Sequence, residues 1–147
     1  MRPVARQAVA TASPSTIWKT CFADMQWEKW DPDVSSVEDV EGGLTNGGKF
    51  TFVMKKDNQR APCVLSDVIQ EKCLTFSGSL GPVKYKGIIE LTPMDASTTS
   101  VNYSFGLYGF LGLIVGYLAK KDIVKGTEGG LHNIVKLSEE AQTKTIE

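Results

Sequence analysis

Tyr85 and Tyr103 are the side chains best suited to chemistry in this sequence, because alternation along their strands directs both to the same side of a sheet. A phenol in an apolar interior stays protonated near neutral pH and can donate a hydrogen bond to a ligand carbonyl. It can equally be a large core filler whose hydroxyl finds a backbone partner. A base to work with them is harder to find. Asp67 qualifies only if its strand turns it inward, and that strand alternates ambiguously: Val64, Ser66 and Val68 form one set, Cys63, Leu65, Asp67 and Ile69 the other, with a bulge able to reconcile them. Arg6 and Gln7 qualify only if the first strand does the same, and each is more often a surface residue. The sole histidine, His132, follows Glu128 by four residues but falls about 160° from Ile134 on a helical wheel, so the two read as a solvated pair. One outward imidazole supplies neither a serine-type triad nor a metal site; no metal and no cofactor is expected.

These residues are carried by a regular series of elements. The first strand is expected over about Val4 to Thr11. Ser13 then reads as an N-cap and Pro14 as the first helical position, with Ile17, Trp18, Cys21 and Phe22 forming an apolar face. A second turn holds Met25, Trp27 and Trp30 and ends at Asp31-Pro32, where proline disfavours helix in the residue before it. Six strands follow, Val34 to Val40, Lys49 to Lys55, Ala61 to Ile69, Leu74 to Leu80, Val83 to Thr92 and Thr98 to Leu107, joined by short turns and therefore antiparallel neighbours. Expected inward residues are Phe50, Phe52 and Met54; Leu74, Phe76, Gly78 and Leu80; Val83, Tyr85, Gly87, Ile89 and Leu91; and Val101, Tyr103 and Phe105.

The stretch from Tyr108 to Thr143 contains no proline and is long enough for one helix or two joined ones. Its second half is amphipathic, with Ile123, Thr127, Leu131, Ile134, Leu137 and Ala141 on one stripe. Carried backward, that stripe meets Gly116, Gly112 and Gly109. With Gly78 and Gly87 on the sheet and Gly130 on the helix, small residues are expected to leave a hollow beneath the helix; close backbone packing is the alternative reading. Trp18, Trp27 and Trp30 read equally as the mouth of that hollow or as ordinary packing.

At 147 residues the chain is one domain, residues 1–147, with 16 basic against 17 acidic residues and no basic excess for nucleic acid. Cys21, Cys63 and Cys73 lack metal-type spacing, and their odd number argues against a closed disulfide framework, so a reducing, cytoplasmic setting is expected. Residues 1–23 carry Arg2, Arg6 and Lys19, hydroxyl residues and no acid before Asp24, which imitates a transit peptide, although the same residues make a good strand and helix. No apolar run reaches 18 residues, so a spanning helix is not expected.

Four stretches together resemble one family. Ser13-Pro14-Ser15-Thr16-Ile17-Trp18 is similar to its "S-P-x-x-V-W" opening, and Trp27-x-x-Trp30-Asp31-Pro32 to its "W-x-x-W-D-P" stretch. Gly47-Gly48-Lys49-Phe50 resembles its following strand start, and Leu131-x-x-x-Val135-Lys136-x-x-x-Glu140 its closing helix. The family is the polyketide cyclase/dehydrase and lipid-transport group of the START/Bet v 1-like superfamily. The resemblance implies an α+β helix-grip fold: a seven-stranded antiparallel curved sheet with two short helices and a long C-terminal helix enclosing a cavity. It also implies a hydrophobic small-molecule partner such as a polyketide, isoprenoid or lipid, contacted by Trp27, Trp30, Phe50, Phe52, Met54, Phe76, Gly87, Ile89, Phe105, Gly116, Thr127 and Leu131.

Three functions fit that reading. The first is a carrier or sensor. The second is a cyclase or dehydratase in which Tyr85 and Tyr103 polarise a ketone during ring closure or dehydration, with Asp67 as base. The third is a membrane-associated or dimeric module using Leu111, Ile114 and Leu118, which lie on the outward side of the apolar segment Gly109 to Ala119. An inward acid or base beside the tyrosines favours the enzyme, an all-apolar lining favours the carrier, and a collapsed cavity with an exposed apolar patch favours the third.

Overall fold

The computed structural model describes the backbone of residues 3–146 and the side chains through Lys144. Strand β1 (Val4–Ala10) leads into helix α1 (Pro14–Ile17), which continues as a π-helical turn over Trp18–Phe22 and is followed by a 3-10 turn at Trp27–Lys29. Strands β2 (Val34–Glu41), β3 (Lys49–Met54), β4 (Arg60–Ile69), β5 (Cys73–Leu80), β6 (Val83–Asp95) and β7 (Thr98–Tyr108) come next, then helices α2 (Gly109–Leu118) and α3 (Lys120–Ile146). The sheet order is β1-β7-β6-β5-β4-β3-β2 with every pair antiparallel. The expected helix-grip layout is therefore present. Its closing rod is two helices, parted where Ala119 leaves the helical region at φ −98 and ψ 13.

Local chemistry sets the helix starts and the sheet register. The Ser13 Oγ accepts the Thr16 N–H at 3.2 Å, and Pro14 opens α1; a cap of this kind stabilises a helix by about 1 kcal/mol. Ile17, Trp18, Cys21 and Phe22 are all buried, as their spacing requires. The far end of α3 ties back here, where the Gln142 Oε1 accepts from the Ser13 N–H and the Thr16 hydroxyl.

A bulge between Ser66 and Ile69 resolves the ambiguity of β4. Ala61, Cys63 and Leu65 are buried ahead of it, and Val68 packs against the core after it. Asp67 occupies the bulge itself, exposed and at φ +50. The inward condition for Asp67 is not met, and it is not a base for the interior.

The apolar stripe of α3 faces the sheet as expected: Thr127, Leu131 and Ile134 are buried, Leu137 packs at the core margin, and His132 is exposed. The glycine face of α2 behaves otherwise. Gly112 and Gly116 are buried, but a Cβ at Gly112 would stand 3.1 Å from the Leu107 carbonyl carbon. The missing side chain lets helix and strand close up instead of leaving a gap. Gly109, at φ +80 and exposed, makes the sharp exit from β7.

Candidate functional site

The space between sheet and helix is filled by rings. Trp27, fully buried on its 3-10 turn, is in edge or tilted contact with Phe22, Trp30, Phe50, Phe52 and Phe76 at centroid distances of 5.1–6.3 Å. Phe76 passes the contact on to Tyr103 and Phe105. Ile89 and Leu131 are also buried here, while Met54 lies half-buried at the margin. The structure thus brings together most of the residues expected to contact a guest. Two of them contribute differently: the Thr127 hydroxyl is taken up by the Ile123 carbonyl at 2.8 Å, and Gly116 lies outside this cluster, buried within α2.

Gly78, Gly87 and Gly130, three glycines of the expected hollow, each have an occupant. A Cβ at Gly87 would fall 2.1 Å from Phe76 Cζ, one at Gly78 would fall 2.0 Å from the Pro62 carbonyl oxygen, and one at Gly130 would press on Tyr103 and Trp30 at 3.2–3.4 Å. The vacancy expected from these glycines is corrected to close packing, and Trp27 is the largest side chain in the space it would have filled. Both indoles are also held by their N–H groups: Trp30 Nε1 donates to the Cys21 carbonyl at 3.0 Å and Trp27 Nε1 to the Phe22 carbonyl at 3.4 Å. Trp18, Trp27 and Trp30 are core residues here, with 5%, 0% and 0% of their surface exposed.

The two tyrosines have different surroundings. Tyr85 pairs with Leu107 and Tyr103 with Ile89, so the row holding Gly87 and Phe105 separates them along the sheet. The Tyr85 hydroxyl donates to the Pro62 carbonyl at 2.9 Å, and burial raises its pKa, helped by the adjacent Cys63 thiol. Burial also pushes the Cys63 thiol up to about 12 and the Cys21 thiol up to about 11; all three cysteines are free.

Burial raises Tyr103 well above the ordinary phenol range, and the negative charges of Asp31 and Asp33 add to the rise. Asp31 is itself pushed up to about 6, first by burial and then by the charge of Asp33, although its Oδ1 accepts the Asp33 N–H at 3.0 Å. The half-buried Asp31 carboxyl and the buried Tyr103 phenol are thus near enough for their charges to interact. In the sequence Asp31 marks the end of a helical turn and belongs to the Trp27-x-x-Trp30-Asp31-Pro32 stretch, with no sign of a raised pKa. The overlooked signal lay on α3, where Gly126, Gly129 and Gly130 at helical spacing clear one face for that turn: Asp33 approaches Gly126, Pro32 approaches Gly129 and Trp30 approaches Gly130. The Asn133 amide fastens the turn by donating to the Trp30 carbonyl at 2.9 Å.

The polar residues of β1 look elsewhere. Arg6 lies opposite Tyr103 in register, yet its guanidinium reaches out to Glu128 at 3.0 Å. Glu128 is thus paired with Arg6 rather than with His132. Gln7 donates to the Ser100 hydroxyl. These side chains, with Ala8, Leu131, His132 and Val135, border an open groove of about 290 Å³.

A larger groove, about 470 Å³ and also open to solvent, lies over the outer face of β2 to β5, where Lys49, Thr51, Pro62, Val64, Ser77 and Ser79 meet Asp39 and Glu41. On the opposite, inner face one row runs in register through Phe50–Cys63–Gly78–Tyr85–Leu107. At the Leu107 end of that row sits α2. Its outer side is apolar throughout: Phe110, Tyr117 and Leu118 are 78–79% exposed, and Leu111, Leu113, Ile114 and Val115 are exposed as well. Among the described residues no helix is long and apolar enough to cross a membrane.

Residues 1–139 match the sequence model of a family described as polyketide cyclase/dehydrase and lipid transport. No curated protein gives a significant match. Among solved structures the chain is similar to XoxI from Bacillus cereus, with 16% identity over 100% of this chain and 99% of that one and a TM-score of 0.70. It is also similar to the hypothetical protein jhp0584 of Helicobacter pylori, with 10% identity over 93% and 88% of the two chains and a TM-score of 0.77. BexL, a di-domain ARO/CYC from the BE-7585A biosynthetic pathway, is similar at 16% identity and a TM-score of 0.69 over 95% of this chain and 47% of that one. At such identities the structural likeness is one of fold.

Proposed function

Because the chain belongs to the polyketide cyclase/dehydrase and lipid transport family, we propose that it binds one hydrophobic small molecule, a polyketide, isoprenoid or lipid, between the sheet and α3 as a carrier or sensor. The observation that carries this is the position of Trp27. Its indole sits among Phe50, Phe52 and Phe76 where a guest would lie, yet it hangs from a three-residue 3-10 turn outside the sheet and the long helices. Such a turn makes none of the ladder hydrogen bonds of the sheet, so its displacement would leave the strand pairing intact. A guest that takes the place of the indole regains the apolar contacts it displaces. Free thiols suit a reducing, cytoplasmic setting. Native mass spectrometry of protein purified from its own host tests the proposal: an apolar adduct at one per chain supports it, while apoprotein that also fails to take up N-phenyl-1-naphthylamine contradicts it.

A second reading has its own observation. Asp31, titrating at about 6, and Tyr103 are near enough for their charges to interact, as a proton acceptor and a hydrogen-bond donor would be in a cyclase or dehydratase. In this reading Asp31 replaces Asp67 as the base, and Tyr85, committed to Pro62, takes no part.

A further inference from the structure

Among the described residues the exposed large apolar side chains concentrate on the outer side of α2. Advancing about 100° per residue, the exposed residues Leu113, Tyr117, Phe110, Ile114, Leu118, Leu111 and Val115 sweep an arc of about 200°, and the glycines take the remainder. A second copy packing by a helix face would cover one strip of such an arc, as ridge-and-groove packing does. A bilayer surrounds a protruding helix on all its free sides. At ten residues the helix is about 15 Å long, half of the roughly 30 Å hydrocarbon core, so it lies in the interface and does not span.

The charges around the helix point to the same partner. Lys120 and Lys121 follow α2 directly, and Lys125 stands one turn further on. At its other end Lys84 and Lys86 sit opposite Tyr108 and Gly106 in the β6–β7 register. All five lysines are exposed. From Leu80 to Ile89 and from Gly106 to Thr127 the one acid is Asp122, in a chain whose net charge is −1. The next acid along α3, Glu128, is held by Arg6, and Asp33 meets α3 at Gly126. An apolar helix with lysines at both ends is suited to insertion below anionic headgroups, with the ammonium groups at the level of the phosphates.

We propose that α2, with Lys84, Lys86, Lys120, Lys121 and Lys125, is a docking surface for anionic lipid bilayers. The proposal deepens the ligand-binding reading and rests on it for its purpose: α2 follows β7 directly at the Leu107 end of the inner row Phe50–Cys63–Gly78–Tyr85–Leu107, so docking brings that end of the interior to the membrane that supplies the guest.

Flotation with phosphatidylcholine vesicles, with and without phosphatidylserine, tests it. The protein is expected to float with the anionic vesicles, to float much less with the zwitterionic ones, and to be released as salt is raised. Each lysine near an anionic surface is worth roughly fivefold in partitioning, so K120E/K121E should weaken anionic binding at least about tenfold. F110S/L118S should abolish it. Both variants alter exposed residues and should keep the wild-type melting temperature. Equal flotation with the two vesicle types, no flotation, or flotation unchanged in either variant would overturn the proposal. So would a concentration-dependent dimer that F110S/L118S disperses while flotation persists. Uptake of N-phenyl-1-naphthylamine without vesicles reports the interior separately: flotation lost with uptake retained removes the docking surface alone, and the reverse removes the ligand-binding reading alone.

Discussion

The ring of Phe76 lies against Gly87 on the neighbouring strand, so close that a Cβ at position 87 would fall 2.1 Å from Cζ. The glycine forgoes its own side chain so that its cross-strand partner can cover the backbone, an arrangement that compensates a strand glycine with aromatic packing. Gly87→Ala therefore overpacks the interior and should lower stability by about 1–3 kcal/mol. Phe76→Leu combined with it should recover part of the loss, read as a non-additive double-mutant cycle in urea. Additive effects would mean that the ring does not hold this position.

The two inward tyrosines should separate in stability. Tyr85→Phe removes a buried donor from the Pro62 carbonyl and should cost about 1–2 kcal/mol. The Tyr103 hydroxyl makes no hydrogen bond among the described residues, so Tyr103→Phe should stay within about 0.5 kcal/mol of the parent. Thermal or urea denaturation distinguishes them. If the protein is a cyclase or dehydratase, the ranking reverses for turnover, with Tyr103→Phe the slower variant.

Asp31 should give the protein a pH-dependent stability. Burial lifts its carboxyl from an ordinary 3.8 to about 6. The folded state therefore holds this proton more tightly than the unfolded chain, and the contribution of Asp31 is most favourable below 3.8 and is lost as pH rises to about 6. Asp31→Asn keeps an acceptor for the Asp33 N–H while removing the charge. It should flatten that decline and raise stability at pH 7 by about 1–3 kcal/mol. Parallel stability–pH curves for the two proteins would contradict this.

His132→Ala should change neither stability nor binding measurably. The residue is exposed, and its helix neighbour Glu128 is engaged by Arg6; surface changes of this kind stay within about 0.5 kcal/mol. A loss of function in this variant would give the groove beside β1 a role that its geometry does not suggest.

The fold was legible because local signals agreed. The Ser13-Pro14 helix start, the turn spacing and the period-two alternation of β3 and β5 to β7 each specify an element and its inner face, and the inner rows are buried, or half-buried at Met54, Gly78, Leu80, Val83 and Phe105. The bulge in β4 was legible as a conflict between two alternating sets, though not as the choice between them. Long-range filling was not legible. A glycine in a sequence does not tell whether the space it leaves stays open, admits a partner's ring as at Gly87, or lets two backbones close up as at Gly112. The same limit hid Asp31, whose raised pKa follows from the turn being pressed against α3, a contact between residues far apart in sequence.

In the ligand-bound protein a hydrophobic guest should take the place of the Trp27 indole. A variant with Trp18 and Trp30 replaced by phenylalanine leaves Trp27 as the sole tryptophan, and farnesol serves as a non-fluorescent probe. Without farnesol, Trp27 should emit in the blue and resist iodide quenching, as a fully buried ring does. Upon saturation its emission should move to the red and become accessible to iodide. Trp27 emission that stays blue and protected while farnesol is bound, or an absence of farnesol binding, would contradict the account.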